Sequence, residues 1–308
     1  MMISLAPMEG ITTYIYRNAI NKYFGGIDKF YTPFLTASHL KGRELRDVNP
    51  DNNDPENLIP QLLVNDSDLF ITITKQLQNL GYDEVNLNLG CPSGTVTSKG
   101  RGSGFLDKTN ELKKFLDDIF DRTPISISIK TRIGFEFINE WEDIAEIYKD
   151  YPIKELIIHP RVGKELYKGT AHRDIYEQMI SYLKGYMPDT LFTYNGDITT
   201  IDDPYYKKDS IMIGRGLIND PSLAYKIKTG NDSFPDFKKS FILFHDELLN
   251  NYVTEMNYED QVVKKMKELW VYFSKGLNID KKLTKEILKS NSLVSYKNTF
   301  NIVKQYIR

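Results

Sequence analysis

The chain has few of the residues that cross-link secreted proteins or bind metal ions. It contains one cysteine, Cys91, and four histidines in 308 residues. A single cysteine excludes an internal disulfide and is typical of a reducing compartment, so we expect a cytoplasmic protein. The cysteine and the histidines form no group with the spacing of zinc ligands, and we therefore expect no metal site.

Long apolar runs are also absent. No stretch approaches the roughly 18 apolar residues that a membrane-spanning helix needs, and we expect no membrane contact. The first residues carry no basic segment, and Pro7 ends their apolar stretch, so they do not resemble a signal peptide. A hydrophobic content of 41% and a charged content of 27% are those of an ordinary soluble globular protein.

Neither sign of charge dominates, since the formal net charge is −2. The distribution is uneven, because residues 1–235 hold 27 Lys+Arg and 33 Asp+Glu, whereas residues 236–308 hold 13 and 9. The balance is therefore −6 for the first segment and +4 for the second. A basic segment on an acidic body indicates a polyanionic partner, although a solvated helical surface explains the same charges.

Short β-rich apolar runs alternate with amphipathic helical patterns through most of the chain. The candidate strands are residues 3–6, 29–34, 58–64, 84–87, 125–130, 155–159, 191–194 and 210–213. The helical patterns between them are residues 13–24, 68–80, 110–120, 140–148, 172–183 and 221–228. This alternation predicts an α/β fold with a parallel sheet, and eight strands in about 230 residues favour the (β/α)₈ TIM barrel. Residues 43–57 are the exception, which we interpret as a polar loop.

The pattern changes after residue 235, where no further strand is predicted. Helical periodicity runs through residues 237–256, 258–277, 281–289 and 295–307. Residues 230–235 have the composition of a linker. We therefore predict two domains: a TIM-barrel catalytic domain over residues 1–235 and a small all-α helical-bundle domain over residues 236–308.

Polar or glycine residues follow nearly every predicted strand. In a (β/α)₈ barrel the chemistry lies at the carboxyl ends of the strands, and seven of the eight deliver such residues to one rim. Chance would produce one or two such coincidences. The residues are Pro7-Met8-Glu9-Gly10, Gln61, Asn88 with Cys91, Lys130 with Arg132, His159 with Arg161, Asn195-Gly196-Asp197 and Gly214-Arg215-Gly216.

Single positions leave alternatives open. Cys91 follows an apolar strand, where a thiol can donate or accept a proton, but a free cysteine is more often a small buried hydrophobic residue. Lys130 is directed into the site by its strand and could contact an electron-rich ring. His159 is either a ligand or a histidine that braces the site. The glycines after the last two strands, together with Arg215, are typical of the phosphate site of this fold.

Two other motifs carry no assignment. Residues 100–104 resemble a dinucleotide-binding fingerprint, but they lie well after their strand and lack the downstream acidic residue. We interpret residues 98–105 as a flexible loop that carries Lys99 and Arg101. No Gly-x-Ser-x-Gly elbow occurs at a strand end, so no serine triad is assigned.

Six motifs together resemble the motif series of the tRNA-dihydrouridine synthases, and the bacterial synthase C-type branch is the nearest we can name. They occur in the order and spacing of that family, and the helical tail also matches, so the resemblance covers nearly the whole chain. The motifs are Leu5-Ala6-Pro7-Met8-Glu9-Gly10, Asn86-Leu87-Asn88-Leu89-Gly90-Cys91-Pro92, Lys130-Thr131-Arg132, His159-Pro160-Arg161, Asn195-Gly196-Asp197 and Ile213-Gly214-Arg215-Gly216.

The resemblance implies a flavin-dependent enzyme that reduces the C5=C6 bond of a uridine in tRNA to 5,6-dihydrouridine. FMN would donate hydride to C6, Cys91 would donate the proton to C5, and NADPH would reduce the FMN again. A thiol suits this role, because it is protonated at neutral pH yet acidic enough to lose its proton. We also expect a monomer.

The resemblance also implies the positions of the ligand contacts. Those to FMN would come from Pro7, Met8, Gln61, Lys130, His159, Asn195, Gly196, Asp197, Gly214 and Arg215. Those to the substrate would come from Asn88, Arg132 and Arg161, to which we add the loop residues Lys99 and Arg101. The tail would bind the RNA backbone through Lys264, Lys265, Lys267, Lys281 and Lys282.

Two other functions stay open. An FMN-dependent reductase of a free pyrimidine, similar to the dihydroorotate and dihydropyrimidine dehydrogenases, would use the same barrel but would leave the basic tail without a task. A non-catalytic RNA-binding protein with a relic barrel would bind no flavin and show no flavin absorbance.

Overall fold

Nine strands, all paired in parallel, form the centre of the computed structural model, which describes residues 1–307. The strands are β1 (Met2–Leu5), β2 (Lys29–Tyr31), β3 (Leu58–Ile59), β4 (Gln61–Leu62), β5 (Glu84–Leu89), β6 (Ser126–Gly134), β7 (Glu155–Val162), β8 (Leu191–Tyr194) and β9 (Ser210–Ile213). Their order in the sheet is β3-β2-β1-β9-β8-β7-β6-β5-β4. All eight predicted strands are present, and the one over residues 58–64 is divided in two.

The sheet closes on itself at Pro60, which separates β3 from β4. Proline has no N–H to donate to a strand ladder, so the predicted strand is interrupted there. As a result β3 pairs with β2, β4 pairs with β5, and a bridge between Leu35 and Leu62 joins the two edges. The predicted (β/α)₈ barrel is therefore confirmed, with one of its eight strand positions built from two short strands.

Helices surround the barrel and form most of the C-terminal tail. Those of the barrel region are α1 (Tyr14–Tyr23), α2 (Gly42–Val48), α3 (Ser67–Asn79), α4 (Gly94–Thr97), α5 (Thr109–Arg122), α6 (Glu140–Tyr148), α7 (Arg173–Leu183), α8 (Arg215–Asn219) and α9 (Leu223–Thr229). Those of the tail are α10 (Phe237–Glu255), α11 (Glu259–Gly276), α12 (Lys281–Lys289) and α13 (Leu293–Val303). Within residues 1–307, none of these helices combines the length and the apolar character needed to cross a bilayer.

Alternation along the strands separates the apolar core from the polar interior of the barrel. On β6, Ile127 and Ile129 belong to the main core between strands and helices. Because successive side chains of a strand point to opposite faces, Ser128, Lys130 and Arg132 point into the barrel. A second, small apolar cluster is separate from the main core and consists of Ala6, Tyr31, Ile59, Ile157 and Met212.

The helical tail packs directly on the barrel helices. Phe244 of α10 meets Tyr16 of α1 edge-on, with ring centroids 5.6 Å apart. At the end of α11, a Cβ atom on Gly276 would lie 1.7 Å from the backbone oxygen of Asn219 at the end of α8, so only glycine fits there. The main core therefore runs without a break across residue 235. The division into two domains at that point stays a prediction.

Two segments that we expected to be loops are ordered by specific contacts. Residues 43–57 contain most of α2, because buried Asp47 accepts a hydrogen bond from the backbone N–H of Tyr14 (2.6 Å) and lies 3.5 Å from the guanidinium of Arg17. Residues 98–105 are not a flexible loop, since they end in a buried 3₁₀ turn over Gly102–Phe105. Gly102 has a φ of +57°, and a Cβ atom there would lie 2.5 Å from the backbone oxygen of Cys91.

Candidate active site

The carboxyl ends of the strands surround a cavity of about 560 Å³, a size typical of sites for cofactors and small molecules. All eight strand positions contribute to its wall, and α11 of the tail adds a further side. Of the sixteen predicted site residues, three do not line the cavity: Lys99, Arg101 and Arg161. The thirteen that do are Pro7, Met8, Gln61, Asn88, Cys91, Lys130, Arg132, His159, Asn195, Gly196, Asp197, Gly214 and Arg215.

The peptide of Cys91 is held on the rim from both sides. Its N–H and that of Gly90 both donate to Oδ1 of Asn88, at 2.9 and 3.0 Å. Its carbonyl accepts hydrogen bonds from the N–H and the hydroxyl of Ser103, at 3.0 and 3.1 Å. Four hydrogen bonds from neighbouring segments thus fix the backbone from which the thiol projects into the cavity.

The thiol of Cys91 is half-buried, and its environment favours the protonated form. Burial raises its pKa above the ordinary value, although a hydrogen bond from the Ser93 N–H and the positive charges of Lys130 and Arg132 oppose this rise. The thiol therefore keeps its proton at neutral pH. A protonated thiol facing a cavity is what a general acid requires.

A series of buried side-chain amides, hydrogen-bonded to one another, fixes which atoms beside the thiol donate and which accept. Because Oδ1 of Asn88 accepts two backbone N–H groups, its Nδ2 must be a donor, and it donates to Oε1 of Gln61 at 2.8 Å. Gln61 then donates to Asn86 (2.8 Å), Asn86 to Ser128 (3.0 Å) and Ser128 to the carbonyl of Val85 (3.4 Å). One Nδ2 proton is the only hydrogen-bonding capacity that Asn88 retains for a ligand.

Lys130 is a cation without a counterion in this wall. Within residues 1–307 its Nζ has neither a hydrogen-bond acceptor nor a carboxylate within salt-bridge distance. Burial, reinforced by the positive charge of Arg132, lowers its pKa to about 7. Such a group favours a ligand that brings negative charge or a carbonyl oxygen.

His159 is held as a neutral donor. Its Nε2 lies 3.0 Å from Nη1 of Arg161, which can only donate, so Nε2 accepts and the ring proton lies on Nδ1. Burial and the charge of Arg132, with smaller effects from other neighbouring cations, hold its pKa well below the usual range. His159 lines the cavity and is also bonded to the wall behind it, and its role as a ligand stays a prediction.

The predicted phosphate-binding segments meet on the opposite side of the cavity. Gly196 is required by crowding, since a Cβ atom there would lie 2.9 Å from the hydroxyl of Tyr194. The carboxylate of Asp197 bonds to Arg161 at 2.5 Å and to Arg215 at 3.2 Å. Although partial burial opposes ionisation, these arginines lower the pKa of Asp197 below its ordinary value. A direct contact between this carboxylate and a phosphate is unfavourable, because the two groups carry like charge.

Arg132 and Arg161, predicted to contact the substrate, are both buried, with 1% of their surface exposed. The guanidinium of Arg132 donates to three backbone carbonyls, and that of Arg161 bonds to Asp197, His159 and two further carbonyls. Arg132 reaches the edge of the cavity, whereas Arg161 lies behind His159. Direct substrate contact by Arg161 has no support in this placement.

The remaining predicted contacts lie outside the cavity. Lys99 is exposed, and Arg101 donates from Nε to Asn65 at 3.1 Å. In the tail, Lys265 and Lys267 donate to backbone carbonyls, and Lys264 pairs with an acidic residue of its own helix. An RNA contact by these residues stays a prediction.

Two tyrosines are among the cavity-wall residues that the sequence analysis missed. Tyr167 is 57% exposed, and the guanidinium of Arg215 lies 4.8 Å from the centre of its ring. Tyr272 comes from α11, about halfway along the tail. An aromatic residue shortly after the strand that carries His159 was a usable signal for Tyr167. No signal marked Tyr272, because nothing in the sequence shows that α11 reaches the mouth of the barrel.

Comparisons with known proteins show the family of the chain. Residues 4–307 match the sequence model of the family described as dihydrouridine synthase (Dus). The "Probable tRNA-dihydrouridine synthase" of Staphylococcus aureus (strain COL) is 26% identical over 298 residues, which cover 94% of this chain and 89% of the relative. The "Probable tRNA-dihydrouridine synthase 2" of Bacillus subtilis (strain 168) is 27% identical over 254 residues, or 79% and 78% of the two chains.

One solved structure supports the fold alone. It is CdNal from Clostridium difficile, crystallised in complex with mannosamine, which is 12% identical to this chain. It aligns with a TM-score of 0.51 and covers 99% of this chain and 98% of its own.

Proposed function

The chain is an enzyme of the dihydrouridine synthase family, and from that premise we propose that it reduces a uridine of tRNA to 5,6-dihydrouridine with FMN and NADPH. The observation that carries the proposal is the position of Cys91, Asn88 and Lys130 in one cavity. A proton donor, an N–H donor of fixed direction and a cation without a counterion meet there. Reduction of a carbon–carbon double bond next to a carbonyl needs these three functions.

The residues of the cavity fit a flavin mononucleotide. The unpaired Lys130 and the donating Nδ1 of His159 suit the oxygen and nitrogen acceptors of a flavin ring, and Gln61 retains one free Nε2 proton beside them. Arg215 and the glycines at positions 196 and 214 suit a phosphate on the other side. When bound in its reduced form, FMN would supply the hydride.

Cys91 would supply the proton. As C6 of the uracil gains a hydride, negative charge develops at C5 and on the C4 carbonyl, and protonation of C5 completes the addition of two hydrogens across the double bond. The protonated thiol can give its proton to C5 and leave a thiolate, which Lys130 and Arg132 stabilise by their charge. Solvent can then protonate the thiolate again.

Asn88 would select the base. Its single free N–H can donate to the carbonyl oxygen at C4 of uracil, where cytosine carries an amino group instead. An amino group would meet a donor that cannot turn around, because Oδ1 of Asn88 is held by two backbone N–H groups. The cavity therefore favours uracil over cytosine, and a uridine within a folded tRNA would have to be extruded to enter it.

The proposal also covers the partners. NADPH would reduce the flavin at the same open face before tRNA binds. Lys281 and Lys282 are exposed and form no ion pair in the part of the chain that the structure describes. Both are therefore available to contact RNA phosphates.

The test is reduction of tRNA by the purified protein. Protein with its bound flavin and NADPH would be incubated with tRNA from a strain that lacks this gene, and the digested tRNA would be analysed for dihydrouridine by mass spectrometry. We expect a yellow protein and one or a few newly reduced positions. Free uracil and uridine, tested in parallel, should be poor substrates.

Two results would contradict the proposal. Reduction of free pyrimidines without reduction of tRNA would favour the small-molecule reductase. Protein without flavin absorbance that still bound tRNA would favour the non-catalytic RNA-binding protein.

A further inference from the structure

Residues 166–169, downstream of β7, form a short loop at the mouth of the cavity. We call this segment the mouth loop. Three of its four backbone carbonyls accept hydrogen bonds from two buried arginines. Arg132 donates to Leu166 at 2.7 Å, and Arg161 donates to Lys168 at 3.2 Å and to Gly169 at 2.7 Å. The one residue of the loop whose carbonyl these arginines do not bind is Tyr167.

The backbone of the mouth loop needs this support. Leu166 has a φ of +55°, in the left-handed region that residues with a side chain rarely adopt. Its side chain is 43% exposed, so packing does not hold it there. The N–H groups of Leu166 and Lys168 bond to the carbonyls of Gly163 and Glu165, and the arginines bind the carbonyls of the loop on the other side of its backbone.

The buried guanidinium of Arg132 joins the mouth loop to the rim of the cavity. Its side chain forms no ion pair with a carboxylate in the part of the chain described, and its three hydrogen bonds all go to backbone carbonyls. Burial of a cation away from any carboxylate costs free energy unless its N–H groups are hydrogen-bonded. One of these bonds goes to Gly90, next to Cys91, so the same guanidinium holds the thiol and the mouth loop at a fixed separation.

The result of these contacts is an aromatic face at the entrance. The ring of Tyr167 lies between Arg132 and Arg215, 5.6 and 4.8 Å from their guanidinium carbons, and its centre is 6.3 Å from that of His159. Its hydroxyl forms no hydrogen bond among residues 1–307, and more than half of its surface is exposed. A rigid, exposed ring beside a cavity is suited to stack on a planar base.

We propose that Arg161 is a positioning residue for Tyr167, aided by the bond from Arg132 to Leu166, and that Arg161 acts on the reaction through this ring instead of touching the substrate. The inference rests on the proposed function, because the ligand of the ring would be a base of the RNA strand. It reassigns Arg161, whose residue type alone indicated a direct contact with the base or its phosphate.

The test has one readout that does not depend on activity. Arg161→Lys keeps the positive charge beside Asp197 but loses the two carbonyl contacts, so the mouth loop should open. Trypsin cleaves after Lys168, and we expect cleavage at this bond to become at least about tenfold faster, followed by mass spectrometry. Arg122→Lys, on the exposed side of α5, is the matched control and should leave the rate unchanged.

The second readout is a double-mutant cycle on kcat/KM for tRNA. Tyr167→Ala and Arg161→Lys should each lower it by about tenfold or more, and the double variant should be within about threefold of the lower single variant. Losses that multiply, or an unchanged rate of cleavage after Lys168, would overturn the proposal. If Arg161→Lys does not fold, Arg132→Lys, which loses the bond to Leu166, provides the cleavage readout.

The failure of the proposed function gives a different pattern. Wild-type protein that does not reduce tRNA would contradict that function. The cleavage rates would still show whether the arginines hold the mouth loop.

Discussion

Two residues of the cavity, Lys130 and Cys91, have pKa values that burial shifts toward the neutral form. The pKa of Lys130 is lowered and that of Cys91 is raised. A cavity that disfavours charge on its own side chains gains most from a ligand that brings the opposite charge. The two shifts therefore fit a site that holds an anionic cofactor and keeps a thiol ready to donate a proton.

Replacement of the thiol tests the proton donor. Cys91→Ala should bind flavin and accept electrons from NADPH as before, because its neighbours Asn88 and Ser103 bond to the backbone of this residue and not to its sulfur. Reduction of tRNA should fall by about 10²–10⁴-fold, the usual contribution of general acid catalysis. Flavin absorbance and the rate of dihydrouridine formation are the measurements. Wild-type turnover in this variant would refute the assignment.

Lys130 predicts a pH-dependent cost in the flavin-free protein. Below about pH 7 Lys130 is charged in the folded state, and its burial lowers the free energy of unfolding by the full amount. Between pH 7 and 10.5 this loss of stability becomes smaller, because the folded protein binds fewer protons than the unfolded chain. Lys130→Met should therefore raise the Tm of the flavin-free protein most below about pH 7, with a gain that shrinks toward pH 10.5.

Thermal unfolding at about pH 6 and about pH 9 measures this gain. Lys75→Met, on the exposed side of α3, is the control and should show no such trend. A gain that grew with pH would contradict the predicted direction.

The side of the sheet to which each strand residue points was predictable from the sequence, but the roles of the arginines were not. Strand alternation alone sends Ser128, Lys130 and Arg132 to the same side. Whether a guanidinium on that side reaches a substrate or a backbone carbonyl depends on loops from other strands. The carbonyl of Leu166 that accepts from Arg132 belongs to such a loop, so its position could not be inferred from local sequence.

At the level of secondary-structure elements, α11 connects the tail, the barrel and the cavity. It packs against α10 and α12 in the tail, contacts α8 of the barrel and lines the cavity with Tyr272. Its apolar periodicity predicted the helix and one buried face, which are local properties. Its close approach to α8 requires glycine at position 276, a requirement that no pattern in the sequence indicates.

That contact gives a prediction for the element. Gly276→Ala would place a methyl group 1.7 Å from the backbone oxygen of Asn219, so α11 has to move away from α8. We expect a lower Tm and a marked loss of tRNA reduction, since the wall that holds Tyr272 moves with the helix. Gly185→Ala is the matched control, because its nearest contact would be an ordinary 3.7 Å. Equal Tm values for the two variants would contradict this account.

The strands and most helices were predictable because their patterns are local. The division at Pro60 follows from proline chemistry and could have been foreseen. The helix α2 could not, because Asp47, which anchors it, is stabilised by Tyr14 and Arg17, more than 25 residues earlier in the chain. Long-range pairs of this kind decide segments whose own composition favours a loop.

On the scale of the whole molecule, the acidic barrel and the basic tail share one continuous core, and the cavity lies where they meet. RNA bound across both would therefore contact the tail while its target base enters the barrel. Such binding should weaken steeply with added salt, because lysine–phosphate contacts release counterions.

The salt dependence can be assigned to particular lysines. The double variant Lys281→Gln with Lys282→Gln should make the slope of log KM for tRNA against log salt shallower by about one unit per lost contact. Lys75→Gln with Lys114→Gln, two exposed lysines on α3 and α5, is the matched control. Equal slopes in the two double variants would show that Lys281 and Lys282 do not meet the RNA.

The single thiol of the chain, on Cys91, also allows ligand binding to be followed in the unmodified protein. A thiol-directed dye or a fluorine-bearing reagent can attach at one place only, on the rim of the cavity, without any prior mutagenesis. Protection of that atom from labelling would record, in unmodified protein, when a cofactor or an RNA base covers the entrance. Occupancy could thus be followed in mixtures where turnover is too slow to observe.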